Sequence, residues 1–299
     1  MDNQHLSITR HPQLQRPSMF LGFSGWMDGG EVSTGTVGFF AKETRADVLG
    51  EIIPDDFYVY NVPGSMEISA MFRPHAKIEN GLVVELNEPT NTFFYSEEKN
   101  TILLQGKEPQ LQWRRYANAL FDVAEAHDVS RICFLGSVAS MVPHTREPLF
   151  YSSFTRDDQR DKVEAIGMTP TYYEGPSSFS SFLITIARER GFEMYSIVAG
   201  IPPYVQGRNV KCIESVARKA ASLLSLDIDF TSLYAEIKTF EDEINKVVEQ
   251  RPDLAEQIRK LEAVYDEQVG ERKVSDSGLG NEDTTDLRDW FDGQGFKFD

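Results

Sequence analysis

The sequence predicts an α/β protein: three layers, α/β/α, around a mostly parallel mixed sheet, followed by a C-terminal helical hairpin. Two observations carry this. Apolar runs of strand length alternate with stretches of helical apolar spacing, each bounded by Gly, Pro or Asp, and after Asp229 the pattern changes to a narrow apolar stripe recurring every three or four residues. Strand–helix alternation needs crossover connections, and these place strands in parallel with helices on both faces.

Residues 19–23 form a short apolar run that ends in Ser24-Gly25-Trp26-Met27-Asp28-Gly29-Gly30, and a helical stretch follows through Lys42. This is a strand, a tight loop and a helix. Residues 48–54, 57–62, 82–86, 92–96 and 101–105 read as shorter strands with Asn, Pro and Gly turns between them, part of them antiparallel. Helical spacing returns over 113–127, and Ile132-Cys133-Phe134-Leu135 marks a buried strand over 131–136. Residues 157–166 and 178–190 read as helices, 194–200 as a strand and 209–224 as a helix rich in alanine and leucine.

Beyond Asp229, Leu233, Ile237, Phe240, Ile244 and Val247 share one helix face, and after Arg251-Pro252 so do Leu254, Ile258, Leu261 and Tyr265. Two helices joined at the proline would bury this stripe as an antiparallel hairpin, either over the sheet domain or in an oligomer interface. The expected division is a core domain over 1–228, the hairpin over 229–270 and an acidic, disordered tail over 271–299. From Ser275 onward seven acids face two bases, and Leu287, Trp290 and Phe291 offer a short apolar face to a partner.

Composition narrows the function. The formal net charge of -17, with 30 Lys and Arg against 47 Asp and Glu, repels phosphate backbones and anionic lipid, so neither nucleic acid nor a membrane surface is expected as a partner. No apolar run reaches the roughly 18 residues of a membrane span, and residues 1–16 lack a signal-peptide core, so a cytoplasmic protein is expected. Cys133 and Cys212 lie in apolar stretches without neighbours at metal-ligand spacing and read as reduced core residues; no metal or cofactor is expected.

In a parallel sheet, ligands collect beyond the carboxyl ends of the strands. Three loops qualify: 24–30, 137–148 and 201–208. In the first, Gly29 and Gly30 permit close backbone approach and Asp28 is placed to cap the following helix. No lysine completes a phosphate cradle there, and the Gly-x-Ser-x-Gly spacing of a nucleophile elbow fails around Ser24, because Trp26 holds the last glycine position. Ser137 opens the second loop, where His144, Arg146 and Glu147 gather a base, a cation and a carboxylate; a solvated loop histidine is the other reading. Ser177 and Ser178 open a helix near Gly175-Pro176, as an anion site or with Ser177 as the helix cap, and Tyr204 ends the rigid Ile201-Pro202-Pro203 segment. The candidate lining is therefore Ser24, Trp26, Asp28, Gly29, Gly30, Ser137, His144, Arg146, Ser177, Ser178 and Tyr204, with no complete catalytic set.

Four of these segments, in this order, resemble the proteasome assembly chaperone 2 family, in its actinobacterial and archaeal branch: residues 22–30, Leu135-Gly136, Gly175-Pro176-Ser177-Ser178-Phe179 and Gly200-Ile201-Pro202-Pro203-Tyr204. The resemblance implies a phosphorylase/hydrolase-like α/β/α fold, homo-oligomers, no established enzymatic activity and a role linked to the proteasome, with its α-type subunits as partners. Members tied to that role often end in a hydrophobic residue, a tyrosine and any last residue; Lys297-Phe298-Asp299 departs from this pattern. The expected function is a non-enzymatic assembly-chaperone-like or protein-interaction protein. The alternative is a small-ligand-binding hydrolase or phosphorylase-like enzyme using the strand-end pocket.

Overall fold

The computed structural model describes residues 4–205 and 207–275. In chain order the strands are β1 (Leu6–Ile8), β2 (Ser18–Ser24), β3 (Asp47–Ile52), β4 (His75–Glu79), β5 (Leu82–Asn87), β6 (Thr92–Ser96), β7 (Thr101–Lys107), β8 (Arg131–Ala139), β9 (Phe150–Ser152), β10 (Thr169–Pro170) and β11 (Met194–Ile201). The helices are α1 (Val32–Glu43), α2 (Met66–Ala70), α3 (Trp113–Ala126), α4 (Arg160–Ala165), α5 (Phe179–Glu189), α6 (Val210–Leu224), α7 (Thr231–Gln250) and α8 (Pro252–Ser275).

Nine strands form one mixed sheet in the order β1-β3-β6-β7-β2-β8-β11-β9-β10. Its centre, β7-β2-β8-β11, is parallel; β6 pairs antiparallel with both β7 and β3, as the turn-rich middle of the sequence predicts. The period-two alternation of the central strands divides the core. Met19, Leu21 and Phe23 of β2, with Ile132 and Phe134 of β8, pack under α3 and α5. Phe20, Cys133, Leu135 and Ile197 face the other way, under α1 and α6. Each such side chain contributes about 1.5–3 kcal/mol on burial, which is why both faces of the sheet are covered.

The hairpin turns at Arg251, and Pro252 opens α8, where its missing N–H costs nothing. Leu233 and Ile237 of α7 join the α1–α6 core and Tyr265 of α8 donates its hydroxyl to the Glu147 carbonyl, so these positions of the stripe cover the sheet domain; Ile258 and Leu261 of α8 are buried as well. Val247, near the far end, is exposed.

Three sequence expectations need correction or placement. Residues 57–62 form no strand: Phe57 turns into the core and the Tyr58 hydroxyl donates to the Lys107 carbonyl at 2.7 Å, which pins the segment as a loop. The 82–86 run is a strand, β5, but it pairs only with β4, away from the main sheet. The acidic tail, with its 286–291 segment, lies outside the described residues.

Candidate functional site

Because β2, β8 and β11 are parallel, the three candidate loops open on one edge. The chain leaves β2 toward β7 and returns to β8 on the other side, so the strand order reverses between β2 and β8, the place where open α/β sheets form a ligand crevice. Here the chain itself occupies that crevice. β2 and β8 pair only as far as Leu21 and Phe134. Beyond that point the buried Ser33 hydroxyl accepts the Phe23 N–H at 2.9 Å and donates to the Leu135 carbonyl at 2.5 Å. Next, Ser137 donates its N–H to the Met27 carbonyl at 2.9 Å and its hydroxyl to the Gly29 carbonyl at 2.7 Å. Ser137 thus lies inside β8, which runs three residues past the predicted end, rather than in a loop.

The loops interlock further. The Asn209 N–H reaches the Gly30 carbonyl at 2.7 Å and the Ser140 N–H reaches the Ile201 carbonyl at 2.9 Å. Gly30 has φ of +64°, and a Cβ on Gly29 would lie 2.7 Å from Ile201 Cδ1, so the glycine pair lets loop 24–30 seat against the end of β11. Ser180 of α5 contacts Met27 Sδ at 3.3 Å, which brings the Ser177–Ser178 helix start to the same edge.

Asp28 caps α1, as predicted: Oδ1 accepts the Thr34 N–H at 3.0 Å and Oδ2 the Thr34 hydroxyl at 2.8 Å. Burial outweighs these bonds and raises its pKa above the usual carboxylate value. A raised folded pKa means that the group's favourable contribution is present at acid pH and is lost as pH rises through that pKa. At neutral pH the ionised Asp28 is a net cost against a neutral isostere. Asp28→Asn is therefore expected to equal or exceed the wild-type urea midpoint at pH 7, with the gap closing on acidification, whereas Asp28→Ala loses about 1 kcal/mol with the cap. Equal losses in both variants would show that the charge itself holds the loop.

His144 is buried rather than solvated, which corrects the loop-histidine reading. The Tyr204 hydroxyl accepts its backbone N–H at 2.8 Å and shares a hydrogen bond with its ring Nδ1 at 2.9 Å. Burial first, then Lys211, lowers the His144 pKa against the pull of Glu262 and Glu241. Nε2 makes no hydrogen bond of ordinary geometry among the described residues, and Asn245 of α7 faces the ring. The sequence places Arg146 and Glu147 beside this histidine; the structure turns both away. Arg146 grips Asp266 of α8 through two bonds of 2.9 and 2.8 Å and reaches Glu262 at 3.3 Å. Glu147 accepts from Ser215 at 3.4 Å through its carboxylate and from the Tyr265 hydroxyl at 2.9 Å through its carbonyl. Lys211 spans from the His144 carbonyl at 3.0 Å to Glu241 of α7 at 3.3 Å. The loop predicted as a reactive cluster is where the C-terminal hairpin is fastened.

At the α5 start the cap is Ser178, one residue later than the Ser177 reading: its hydroxyl accepts the Ser181 N–H at 3.2 Å, while Ser177 is exposed. Ser24 ends β2, and its carbonyl accepts the Glu108 N–H at 2.8 Å. Trp26 stands 68% exposed, with its N–H on the Glu108 carboxylate at 3.1 Å. Sequence reasoning missed Glu108, whose pKa burial raises. The signal was available, since it follows β7, the other parallel neighbour of β2, so its loop opens on the same edge. A surface cleft of about 220 Å³ lies elsewhere, between α1 and α7, lined by Glu31, Thr34, Lys42, Gln105, Arg208 and Glu236, and none of the predicted residues lines it. Among the described residues no cluster of His, Cys, Asp and Glu suits a metal ion, and no described helix is long and apolar enough to cross a membrane.

Fold and edge together define an α/β protein with a large, mostly parallel mixed sheet whose switch-point crevice is closed by its own loops. The PAC2 family model matches residues 22–248, and the chain belongs to that family. Among solved structures, it is similar to the proteasome-assembly chaperone homologue Rv2125 of Mycobacterium tuberculosis (TM-score 0.70, 23% identity, covering 81% of this chain and 99% of that one). It is also similar to Rv2714 of Mycobacterium tuberculosis, of unknown function (TM-score 0.78, 19% identity, 89% and 92% covered). A third, PbaB of Pyrococcus furiosus, an archaeal proteasome activator, aligns with TM-score 0.59 and 20% identity over 81% of this chain and 97% of that one. No curated protein matches the chain.

Proposed function

We propose that this protein is a non-enzymatic, assembly-chaperone-like interaction protein of the cytoplasm that self-associates and takes α-type proteasome subunits as partners. Membership of the PAC2 family carries the reading. The likeness to a proteasome-assembly chaperone homologue and to an archaeal proteasome activator supports it. So does the chemistry of the strand-end edge. Asp28 is spent on Thr34, Ser137 on Gly29, the His144 ring on Tyr204, and Arg146 on Asp266 and Glu262, which is the work of holding loops rather than of turning over a substrate. In this reading residues 1–228 are the scaffold, and the hairpin over 229–270 is fastened to it and offers its outward face to a partner.

The test is native mass spectrometry of the protein purified from its own cells, before and after mild denaturation. Co-purifying α-type proteasome subunits are the expected result. A stoichiometric small molecule with no proteasome subunit would replace this reading with that of a ligand-binding protein, lined by Trp26, Asp28, Ser137, His144 and Tyr204.

A further inference from the structure

The surface cleft between α1 and α7 is shaped by a glycine that packing does not explain. α1 carries two interior glycines, and in a helix interior a glycine is about 1 kcal/mol less favourable than alanine. Gly35 has a packing reason, since a Cβ there would sit 2.5 Å from Ile213 Cδ1 of α6. Gly38 has none. A Cβ added to it would meet nothing nearer than Gln105 Oε1 at 3.8 Å, an ordinary contact, so an alanine fits without strain. The missing side chain leaves open space in the cleft, between Phe39 of α1 and Leu233 of α7. A local preference broken without a return in packing marks a place held for function.

The polar groups around that space are unpaired. Lys42, Gln105 and Glu236 line it, and among the described residues none of their side chains makes a hydrogen bond or an ion pair. Arg208 stands 3.9 Å from Glu31, beyond hydrogen-bond distance. By contrast, Lys211 and Arg218 of neighbouring α6 are each engaged, with Glu241 and Glu214. Charge then defines the ligand class. Two cations, Lys42 and Arg208, accompany two carboxylates, Glu31 and Glu236, so the formal charge of the lining is zero. A simple anion meets repulsion from two acids and a simple cation from two bases, whereas a zwitterion satisfies both. The cleft of about 220 Å³ equals the volume of about seven waters at roughly 30 Å³ each, space for a molecule of about ten non-hydrogen atoms.

We propose that this cleft binds a free α-amino acid with an apolar side chain, its carboxylate on Lys42 and Gln105, its ammonium on Glu236 and its side chain against Phe39 and Leu233. Because α1 and α7 both touch the ligand, binding ties the C-terminal hairpin to the sheet domain. The proposal goes beyond the partner reading above and does not rest on it.

Thermal unfolding of the full chain, with L-leucine, L-methionine or L-phenylalanine titrated to saturation, tests it. N-acetyl-L-leucine and L-leucinamide are the controls, lacking the ammonium and the carboxylate respectively. At least one of the free amino acids is expected to raise Tm saturably, by about 5 °C at a hundredfold excess over Kd, and neither control is. Amide exchange over 233–240 should slow in the bound state, because α7 gains a tie to the core. Gly38→Leu should keep the unliganded Tm at or above that of the wild type and abolish the shift, since the new side chain occupies the cleft. Glu236→Gln, at an exposed position, should weaken binding about tenfold or more by removing the ammonium's partner. No saturable shift with any of the three, an equal shift with either control, or a shift unchanged by Gly38→Leu or by Glu236→Gln would overturn the proposal.

Discussion

Gly22→Val is expected to yield no folded protein, and Gly22→Ala a chain destabilised by about 3 kcal/mol. Gly22 lies in β2, the strand between β7 and β8, where α1 crosses directly over it. A Cβ added there would sit 2.6 Å from the Ser33 carbonyl oxygen and 2.6 Å from Val37 Cγ2. The valine methyl can rotate away; the carbonyl is helix backbone and moves only if α1 moves. Overpacking a tight core typically costs about 1–3 kcal/mol, and a backbone clash belongs at the upper end of that range. Two further methyl groups in the same gap exceed what a domain with about 5–15 kcal/mol of total stability can absorb. The urea midpoint of Gly22→Ala is the direct check, and an unchanged midpoint would mean that α1 does not rest on β2 at this distance. The expectation gives the first glycine of the family-like segment a packing role with no ligand.

Much of this architecture was legible because its elements are long and periodic. β2 with its loop and α1, then β8, α5, β11 and α6, each show a clear period, and the hairpin announces itself by its proline and its stripe. β1, β9 and β10, of two or three residues, are too short for a period to appear. Residues 57–62 mislead because alternation of apolar and polar residues records burial and not pairing: Phe57 is buried by a loop whose partners come from β7 and from Asn91.

The candidate site divides in the same way. The cap between Asp28 and Thr34 is six residues long and could be read from the sequence. The burial of His144 depends on Tyr204, sixty residues on, and on Lys211, and Arg146 is held from α8, more than a hundred residues away. No local pattern reports such partners. Sequence grouped His144, Arg146 and Glu147 because they are adjacent in the chain, while the fold points each at a different element. The placement of β5 was hidden for the opposite reason. Its apolar residues predict a strand buried on at least one face, yet among the described residues all six of β5 are exposed.

Ser33→Ala is expected to cost about 2–4 kcal/mol, a large effect for the loss of one oxygen atom. Ser33 is fully buried in the first turn of α1, and its hydroxyl bridges the Phe23 N–H and the Leu135 carbonyl where β2 and β8 part. In the ladder below, such groups satisfy one another; above it, the serine takes the place of the missing strand contact. Alanine leaves one donor and one acceptor without a partner in the core, each at about 1–3 kcal/mol. The urea midpoint should fall with an unchanged slope, since the area exposed on unfolding is the same. Amide exchange at Phe23 should accelerate beyond that global loss, because the bond is removed locally. A loss under about 0.5 kcal/mol would mean that water enters and bridges the two groups, which needs room near Ser33 for at least one molecule. In that event the crevice between β2 and β8 would be open to small polar molecules, and the ligand-binding reading of this edge would gain a cavity.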